Sequence, residues 1–281
     1  MSNIRIFAFA DESSPMIDQQ IVAMHRNGLQ GLEIRNVDNE NVSFISLEKA
    51  KEVRKKMDDA GLITWSIGSP IGKIDIEKDD FAKHLDVFRH TLELADILGA
   101  ENIRLFSFFI PEGKDPADYK NEVIDRMGAF ADAAKGSNVV LCHENEKGIY
   151  GDMANRCLEV LQAVPSIKGI FDPANFVQCG QDTLQAWNLL KPYIKYMHIK
   201  DALADGNVVP AGQGIGNVKQ IVGDFIANSG KEFTLEPHLA VFAGLSALER
   251  ENEKSVVGHQ FVYESNEQAF DAACNAFKCL L

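Results

Sequence analysis

Four residues that can bind a metal ion stand at the ends of short apolar segments in the second half of the chain. They are Glu144, Asp172, His198 and Glu236. Successive members are separated by roughly 25 to 40 residues, which is about the length of one strand-helix unit. Because consecutive parallel strands bring their carboxyl ends to one face, this spacing predicts that the four side chains meet at a single site.

The chemistry of this set is that of a divalent metal site. Three carboxylates and one neutral imidazole in a small pocket would repel one another and raise the carboxyl pKa values, and a divalent cation removes most of that repulsion. Three oxygen ligands and one nitrogen favour Mn²⁺ or Mg²⁺, with Co²⁺ and Zn²⁺ as alternatives. The absence of a thiolate argues against a structural zinc site. We therefore expect one divalent metal ion.

A metal ion in this position would support proton transfer next to a ketone. When a ketone oxygen and a neighbouring hydroxyl bind the metal, the carbon-bound proton becomes acidic and the resulting enediolate is stabilised. Glu144 and Glu236 would serve as the acid/base pair as well as metal ligands, while Asp172 and His198 mainly hold the metal. Return of the proton with inversion is epimerisation, and its transfer to the adjacent carbon is isomerisation.

Short strands that alternate with helices must position these residues. In the apolar run 139–144, Val140, Cys142 and Glu144 share one face of a strand because side chains alternate with a period of two. Comparable segments recur along the chain, and the predicted strands span residues 4–9, 31–35, 62–67, 103–106, 139–144, 169–172, 195–200 and 233–236. Eight such units predict an α/β fold, a closed (β/α)8 TIM barrel.

The barrel is predicted as a single domain over residues 1–281, since no Pro/Gly/Ser-rich linker divides the chain. The alternative is an open doubly wound sheet. That fold would need a glycine fingerprint after the first strand, where the sequence has Phe-Ala-Asp-Glu. A later glycine-rich segment, residues 209–216, resembles a dinucleotide fingerprint only loosely and does not follow a first strand. We therefore expect no nucleotide cofactor.

Helix signals complete the predicted units. Ser46 is a plausible N-cap of the helix that follows it, and Gly99 closes a strongly periodic helix over residues 81–98. Asp152 is expected to cap a helix over residues 153–164. Further helices are predicted at residues 17–26, 119–135, 218–226 and 266–280.

Composition narrows the class of partner. The formal charge of −13, from 28 basic and 41 acidic residues, opposes binding to a polyanion such as nucleic acid. The five cysteines show no C-x-x-C spacing, which predicts reduced packing residues rather than disulfides or a zinc ribbon. Asp11 and Glu12 interrupt the first apolar run too early for a secretory signal, and no apolar run approaches 18 residues. We expect a soluble cytoplasmic protein that binds no membrane; a homo-oligomer is compatible with the sequence.

Two loops contain further candidate residues. Residues 68–73 form a glycine- and proline-rich turn after the third strand, where backbone amides and Lys73 could bind an anion or a substrate hydroxyl. Glu146 lies two residues after Glu144 but at the start of a glycine-punctuated loop, so a solvated or supporting role is expected for it. The aromatic cluster at residues 106–109 is expected to pack in the core or the pocket wall.

With these residues in place, the chain resembles the xylose isomerase-like TIM barrels, which include sugar isomerases and epimerases, inosose dehydratases and type IV apurinic endonucleases. The resemblance covers nearly the whole chain, and it rests on residues 9–12, 141–145, 171–176, 197–201, 212–214 and 236–238. It is closest to bacterial proteins described as sugar phosphate isomerase/epimerase. It implies that Glu144, Asp172, His198 and Glu236 bind the metal and that the two glutamates also transfer protons. A small keto sugar or sugar phosphate is the implied substrate.

Departures from the family pattern leave alternatives open. Ketose 3-epimerases of the family have a substrate-binding histidine where this chain has Asn175, and Gln213 replaces a frequent glutamate. Lys200, Asn175, Lys73, Arg35 and His238 are the candidate substrate-binding residues, and Lys200 or His238 is the next candidate base. The alternative activity is dehydration of a keto-cyclitol through the same enolate. A metal-dependent apurinic endonuclease is a less favoured alternative, because this chain lacks the histidines that such an enzyme needs. A sugar-binding protein without catalytic activity is also less favoured, because it would not need the full set of metal ligands.

Overall fold

The computed structural model describes residues 4–243, 245 and 261–281. Eight parallel strands close into a barrel. They are β1 (Arg5–Ala8), β2 (Gly31–Ile34), β5 (Ile63–Ile67), β6 (Asn102–Leu105), β7 (Val140–Glu144), β8 (Lys168–Phe171), β9 (Ile194–Ile199) and β12 (Glu232–Leu235). Their spatial order around the barrel is β1-β12-β9-β8-β7-β6-β5-β2. The prediction of a closed (β/α)8 barrel is confirmed.

Two small antiparallel sheets extend from the carboxyl ends of barrel strands. Strand β3 (Asn36–Val37) pairs with β4 (Glu40–Asn41) after β2, and β10 (Asp201–Ala202) pairs with β11 (Val208–Val209) after β9. Residues 246–260, a polar stretch of the sequence before the last predicted helix, lie outside the described residues.

Helices cover the outer surface of the barrel strands. They are α1 (Ile17–Arg26), α2 (Leu47–Asp59), α3 (Phe81–Leu98), α4 (Lys120–Ala133), α5 (Ala154–Ala163), α6 (Pro173–Gln178), α7 (Thr183–Leu190), α8 (Val218–Ala227) and α9 (Asn266–Lys278). Helices α6 and α7 were not predicted from the sequence. Within the described part of the chain, no helix is both long enough and apolar enough to cross a membrane.

The helix caps show where local signals were sufficient. Ser46 Oγ accepts a hydrogen bond from Lys49 N–H at the start of α2, and Gly99 ends α3 in the left-handed conformation at φ 68°. The prediction that Asp152 caps α5 is wrong. Met153 occupies the N-cap position, and the Asp152 carboxylate pairs with Arg156 one turn into the helix. The ion pair competes for the oxygen atoms that a cap would need.

Strand alternation decides which side chains enter the barrel. In β9, Met197 and Ile199 pack in the core beneath the helices, whereas Tyr196 and His198 point into the barrel. At the amino-terminal end, a separate cluster of Phe7, Trp65, Cys142, Ile170 and Tyr196 fills the interior. The Phe7 and Trp65 rings stack there at 4.7 Å between centroids. The polar interior is thereby displaced toward the carboxyl ends of the strands.

The five cysteines differ in their exposure to solvent. Cys142, Cys157 and Cys274 are buried, Cys179 is partly exposed and Cys279 is exposed. Burial raises the pKa of the Cys142, Cys157 and Cys274 thiols, which favours the unreactive protonated form.

Candidate active site

The four predicted metal ligands lie together inside the carboxyl end of the barrel. Glu144 is the last residue of β7, Asp172 follows β8 directly, His198 lies within β9 and Glu236 follows β12 directly. All four are buried, and one ligand atom from each lies within 4.8 Å of the others. The strand order places β12, β9, β8 and β7 side by side, and for this reason residues far apart in the sequence share one site.

His198 is oriented from both sides of its ring. Nδ1 lies 2.9 Å from Glu144 Oε1 and 3.6 Å from Glu236 Oε2, on the side of the cluster. Nε2 lies 3.1 Å from Glu33 Oε2, and Glu33 Oε1 in turn accepts from Tyr196 OH at 2.9 Å. A carboxylate that accepts from one ring nitrogen leaves the other nitrogen directed at the metal position.

Glu33 was not identified as a site residue from the sequence. The available signal was its position in β2, where it shares a strand face with Arg35, a candidate substrate residue. Its side chain is fully buried in the ion pair with His198. A buried acid in an apolar strand needs a partner, and this requirement alone marks it as a site candidate.

Two buried cations bridge the cluster carboxylates. Arg104 Nη1 lies 3.1 Å from Glu144 Oε2 and 3.5 Å from Glu236 Oε1. Lys200 Nζ lies 3.0 Å from Asp172 Oδ2 and 2.8 Å from Glu236 Oε2. Lys200 was predicted at the site, whereas Arg104 was missed. Its signal was a charged residue inside the apolar strand β6, where burial requires compensating carboxylates.

Arg35 anchors a second group of charged residues beside Glu236. Its guanidinium lies 3.2 Å from Glu236 Oε1, forms two hydrogen bonds to Asp11 at 2.9 and 3.1 Å, and donates to Glu12 at 3.1 Å. The backbone N–H of His238 donates to Glu12 Oε2 at 2.6 Å. Burial raises the pKa of Glu12 to about 8, although Arg35 opposes that shift. Arg35 and His238 therefore both lie beside the cluster.

The electrostatic field of the cluster favours positive charge. Burial lowers the pKa of His198, but the charges of Glu144 and Glu33 raise it by more, so that the net pKa is about 10. Burial also raises the pKa of Asp172 to about 7, and the charges of Glu236 and Glu144 add to this shift. Lys200 and the neighbouring histidines outweigh burial at Glu236 and hold the pKa of that carboxyl well below its ordinary value.

A metal ion fits this donor set. Asp172 Oδ2 is buried and accepts no well-aligned hydrogen bond, although Lys200 Nζ lies 3.0 Å away. Oxygen and imidazole donors within one small buried cluster match the preferences of divalent cations. The buried Glu, Asp and His cluster is thus a candidate metal site.

The remaining predicted substrate residues lie around this centre. Asn175 Nδ2 lies 3.4 Å from Glu144 Oε1 and donates to Asn145 O at 2.9 Å. Lys73 Nζ lies 3.0 Å from Glu146 Oε2 and 4.4 Å from the centre of the Phe106 ring. Glu146 thus forms an ion pair with a neighbouring lysine, and Phe106 forms part of the wall.

The glycine-rich segment after β9 wraps around one carboxylate. Asp201 Oδ2 accepts from the backbone N–H groups of Gly212 and Gly214 at 2.9 and 3.0 Å. Asp201 Oδ1 accepts from Gly216 N–H and from Ala202 N–H, both at 2.9 Å. Four backbone donors of this region therefore bind a side chain of the protein itself.

These features agree with the comparison of the sequence with known families. The chain belongs to the xylose isomerase-like TIM barrel family, which it matches over residues 21–238. A search of curated proteins finds no match.

Several solved structures share the fold. The probable 3-DHS dehydratase AsbF from Bacillus anthracis is 18% identical, with 98% of each chain covered and a TM-score of 0.69. The IOLI protein with a binding zinc atom is 14% identical, with 99% of this chain and 98% of that chain covered and a TM-score of 0.73. The 3-keto-D-glucoside 4-epimerase YcjR from E. coli is 13% identical, covering 100% and 99%, with a TM-score of 0.70.

Proposed function

We propose that this protein is a divalent metal-dependent isomerase or epimerase of a small keto sugar. The observation that carries this proposal is the meeting of Glu144, Asp172, His198 and Glu236 within 4.8 Å in the buried interior of a family barrel. A bound divalent ion, with Mn²⁺ or Mg²⁺ preferred, would supply positive charge to the oxygens of an enediolate. The epimerase activity in the name of one structural relative is consistent with this reaction class.

The two glutamates are proposed to transfer the proton. Each directs one oxygen toward the ligand cluster, since Glu144 Oε1 faces His198 and Glu236 Oε2 faces Lys200. Their other oxygens face Arg104 Nη1. At Glu236, Lys200 and Arg104 help to outweigh burial and hold the pKa of the carboxyl low, which favours the ionised form that accepts a proton. One glutamate would remove the substrate proton, and the other would return it from the opposite side.

The surrounding polar residues are proposed to orient the substrate. Lys200 and Asn175 contact the cluster carboxylates directly, and Arg35 contacts Glu236. His238 and Lys73 would complete the substrate surface. The formal charge of −13 supports a small-molecule substrate over nucleic acid as the partner.

Solvent deuterium exchange tests the reaction class directly. The protein with Mn²⁺ would be incubated in D₂O with a panel of ketoses and ketose phosphates, and carbon-bound protons would be followed by ¹H NMR. We expect exchange next to the carbonyl of at least one member, and no exchange when Glu144→Gln and Glu236→Gln are combined. Complete absence of exchange across the panel would contradict an enolising mechanism. Loss of water from a keto-cyclitol would identify the dehydratase alternative.

A further inference from the structure

Buried cations at the site are already committed to carboxylates of the protein. Arg35 contacts Asp11, Glu12 and Glu236, and its side chain is fully buried. Arg104 contacts two of the cluster carboxylates and also donates to Gly68 O at 3.2 Å. Lys200 also contacts two of them. An anionic group on a substrate would have to displace one of these internal partners.

Lys73 shows the same arrangement nearer the loops. Its ammonium group pairs with Glu146 at 3.0 Å, and the lysine side chain is only 7% exposed. The Phe106 ring lies beneath it, at 4.4 Å from Nζ to the ring centre. This lysine is therefore held in place by a carboxylate and an aromatic face.

The backbone donors that could bind a phosphate are also occupied. TIM barrels frequently bind phosphate with the loops that follow the seventh and eighth strands. Here β9 is the seventh barrel strand, and the amides of Gly212, Gly214 and Gly216 in the loop after it bind the Asp201 carboxylate. Asp201 thus fills the anion position of that loop from within the chain. The loop after β12 contains residues outside the described part of the structure.

From these two observations we propose that the substrate is an uncharged keto sugar that carries neither phosphate nor carboxylate. This inference rests on the proposed function, and it names the substrate class of the same site. An uncharged polyol can hydrogen-bond to the ion-paired carboxylates and amides without separating any pair. A charged ester would require the loss of a buried ion pair or the release of Asp201 from its amides.

Calorimetric binding to the Mn²⁺-loaded protein tests the substrate class without requiring turnover. The probes are matched pairs, D-fructose with D-fructose 6-phosphate and D-xylulose with D-xylulose 5-phosphate. We expect at least one free ketose to bind tenfold or more tightly than its ester. An ester that binds more tightly than its parent sugar overturns the inference, and so does the absence of binding by both ketoses.

A variant tests the role of internal pairing. Glu146→Gln removes the carboxylate partner of Lys73 and should shift the ester-to-ketose affinity ratio toward the ester by about fivefold, the upper value for one ion-pair contact. Glu122→Gln, which removes the ion pair between the exposed Glu122 carboxylate and Arg126 on α4, is the matched control and should leave the ratio unchanged. An unchanged ratio in Glu146→Gln would contradict the argument from paired cations.

The outcomes separate this inference from the proposed reaction. Binding of a free ketose without any solvent exchange would contradict the isomerase or epimerase and still support an uncharged ligand. If a carbon-bound proton of a ketose phosphate exchanges faster than the same proton of the free ketose, the proposed reaction is supported and the inference of an uncharged substrate is overturned.

Discussion

The segment that wraps around Asp201 can be tested by adding a single methyl group. A Cβ atom on Gly214 would lie 2.3 Å from Asp201 Oδ1 and 2.4 Å from the backbone oxygen of Ala202. The second of these atoms belongs to the main chain of β10, so a side-chain rotation cannot relieve the contact. Gly214→Ala should therefore move the loop and break the Gly214 N–H bond to Asp201.

The expected cost follows from the bond that is lost. A hydrogen bond to a charged acceptor contributes roughly 1.5 to 3 kcal/mol, so the free energy of unfolding should fall by about 2 kcal/mol. For a chain of 281 residues the melting temperature should fall by about 3 to 4 °C. Urea denaturation and differential scanning calorimetry measure the two quantities.

Gly223 provides the matched control. It lies in α8, its added Cβ would meet no atom within 4 Å, and its φ is ordinary for a helix. Gly223→Ala should raise the free energy of unfolding by up to about 1 kcal/mol, because alanine favours the helix. Equal stability of Gly214→Ala and the unsubstituted protein would refute the claim that the Asp201 contacts fix this loop.

Three further predictions concern the proposed catalytic groups and pH. Glu144→Gln and Glu236→Gln should each reduce kcat by about 10² to 10⁴ while some Mn²⁺ binding persists, because the base is lost and an oxygen ligand remains; full turnover at saturating Mn²⁺ would show that neither carboxylate is the base. His198→Ala should first weaken Mn²⁺ binding, measured by calorimetry, with activity partly restored at high Mn²⁺; unchanged affinity would remove His198 from the ligand set. Burial lowers the pKa of His84 to about 4, partly opposed by Asp79, and its Nε2 accepts the Gly72 N–H. The neutral ring therefore stabilises the fold above about pH 6.5, and this contribution is lost as pH falls toward 4. His84→Gln should reduce the change in the free energy of unfolding between pH 7 and pH 4 by up to about 3 kcal/mol, as measured by urea denaturation at each pH. The same change in the variant and in the unsubstituted protein would contradict this assignment.

The barrel and its four clustered residues could be predicted from the sequence because the relevant signals are local. Period-two alternation placed Glu144 and Cys142 on one strand face, and β7 ends at Glu144 as predicted. The helix α3 has the predicted bounds, since an amphipathic run closed by a left-handed glycine leaves few alternatives. Regular spacing of the strands then implied a shared carboxyl end.

Local signals were insufficient where two of them compete. Asp152 precedes a helix, and an acid in that position is a capping signal. Arg156, four residues further along the chain, instead forms an ion pair with the Asp152 carboxylate. The sequence contains both features and does not decide between them. Only the relative energies of the two contacts in the folded chain select the ion pair.

The electrostatic surroundings of the site were decided by the tertiary structure. Glu33 meets His198 across 165 positions of sequence, and Arg104 meets Glu144 across 40. Strand periodicity states which residues share a face, but closure of the barrel determines which distant side chains then come within hydrogen-bonding distance. Burial makes each unpaired charge costly, so these long-range pairs form together once the barrel closes. The sequence by itself thus determined the barrel and its candidate ligands, and the folded chain determined which charges surround them.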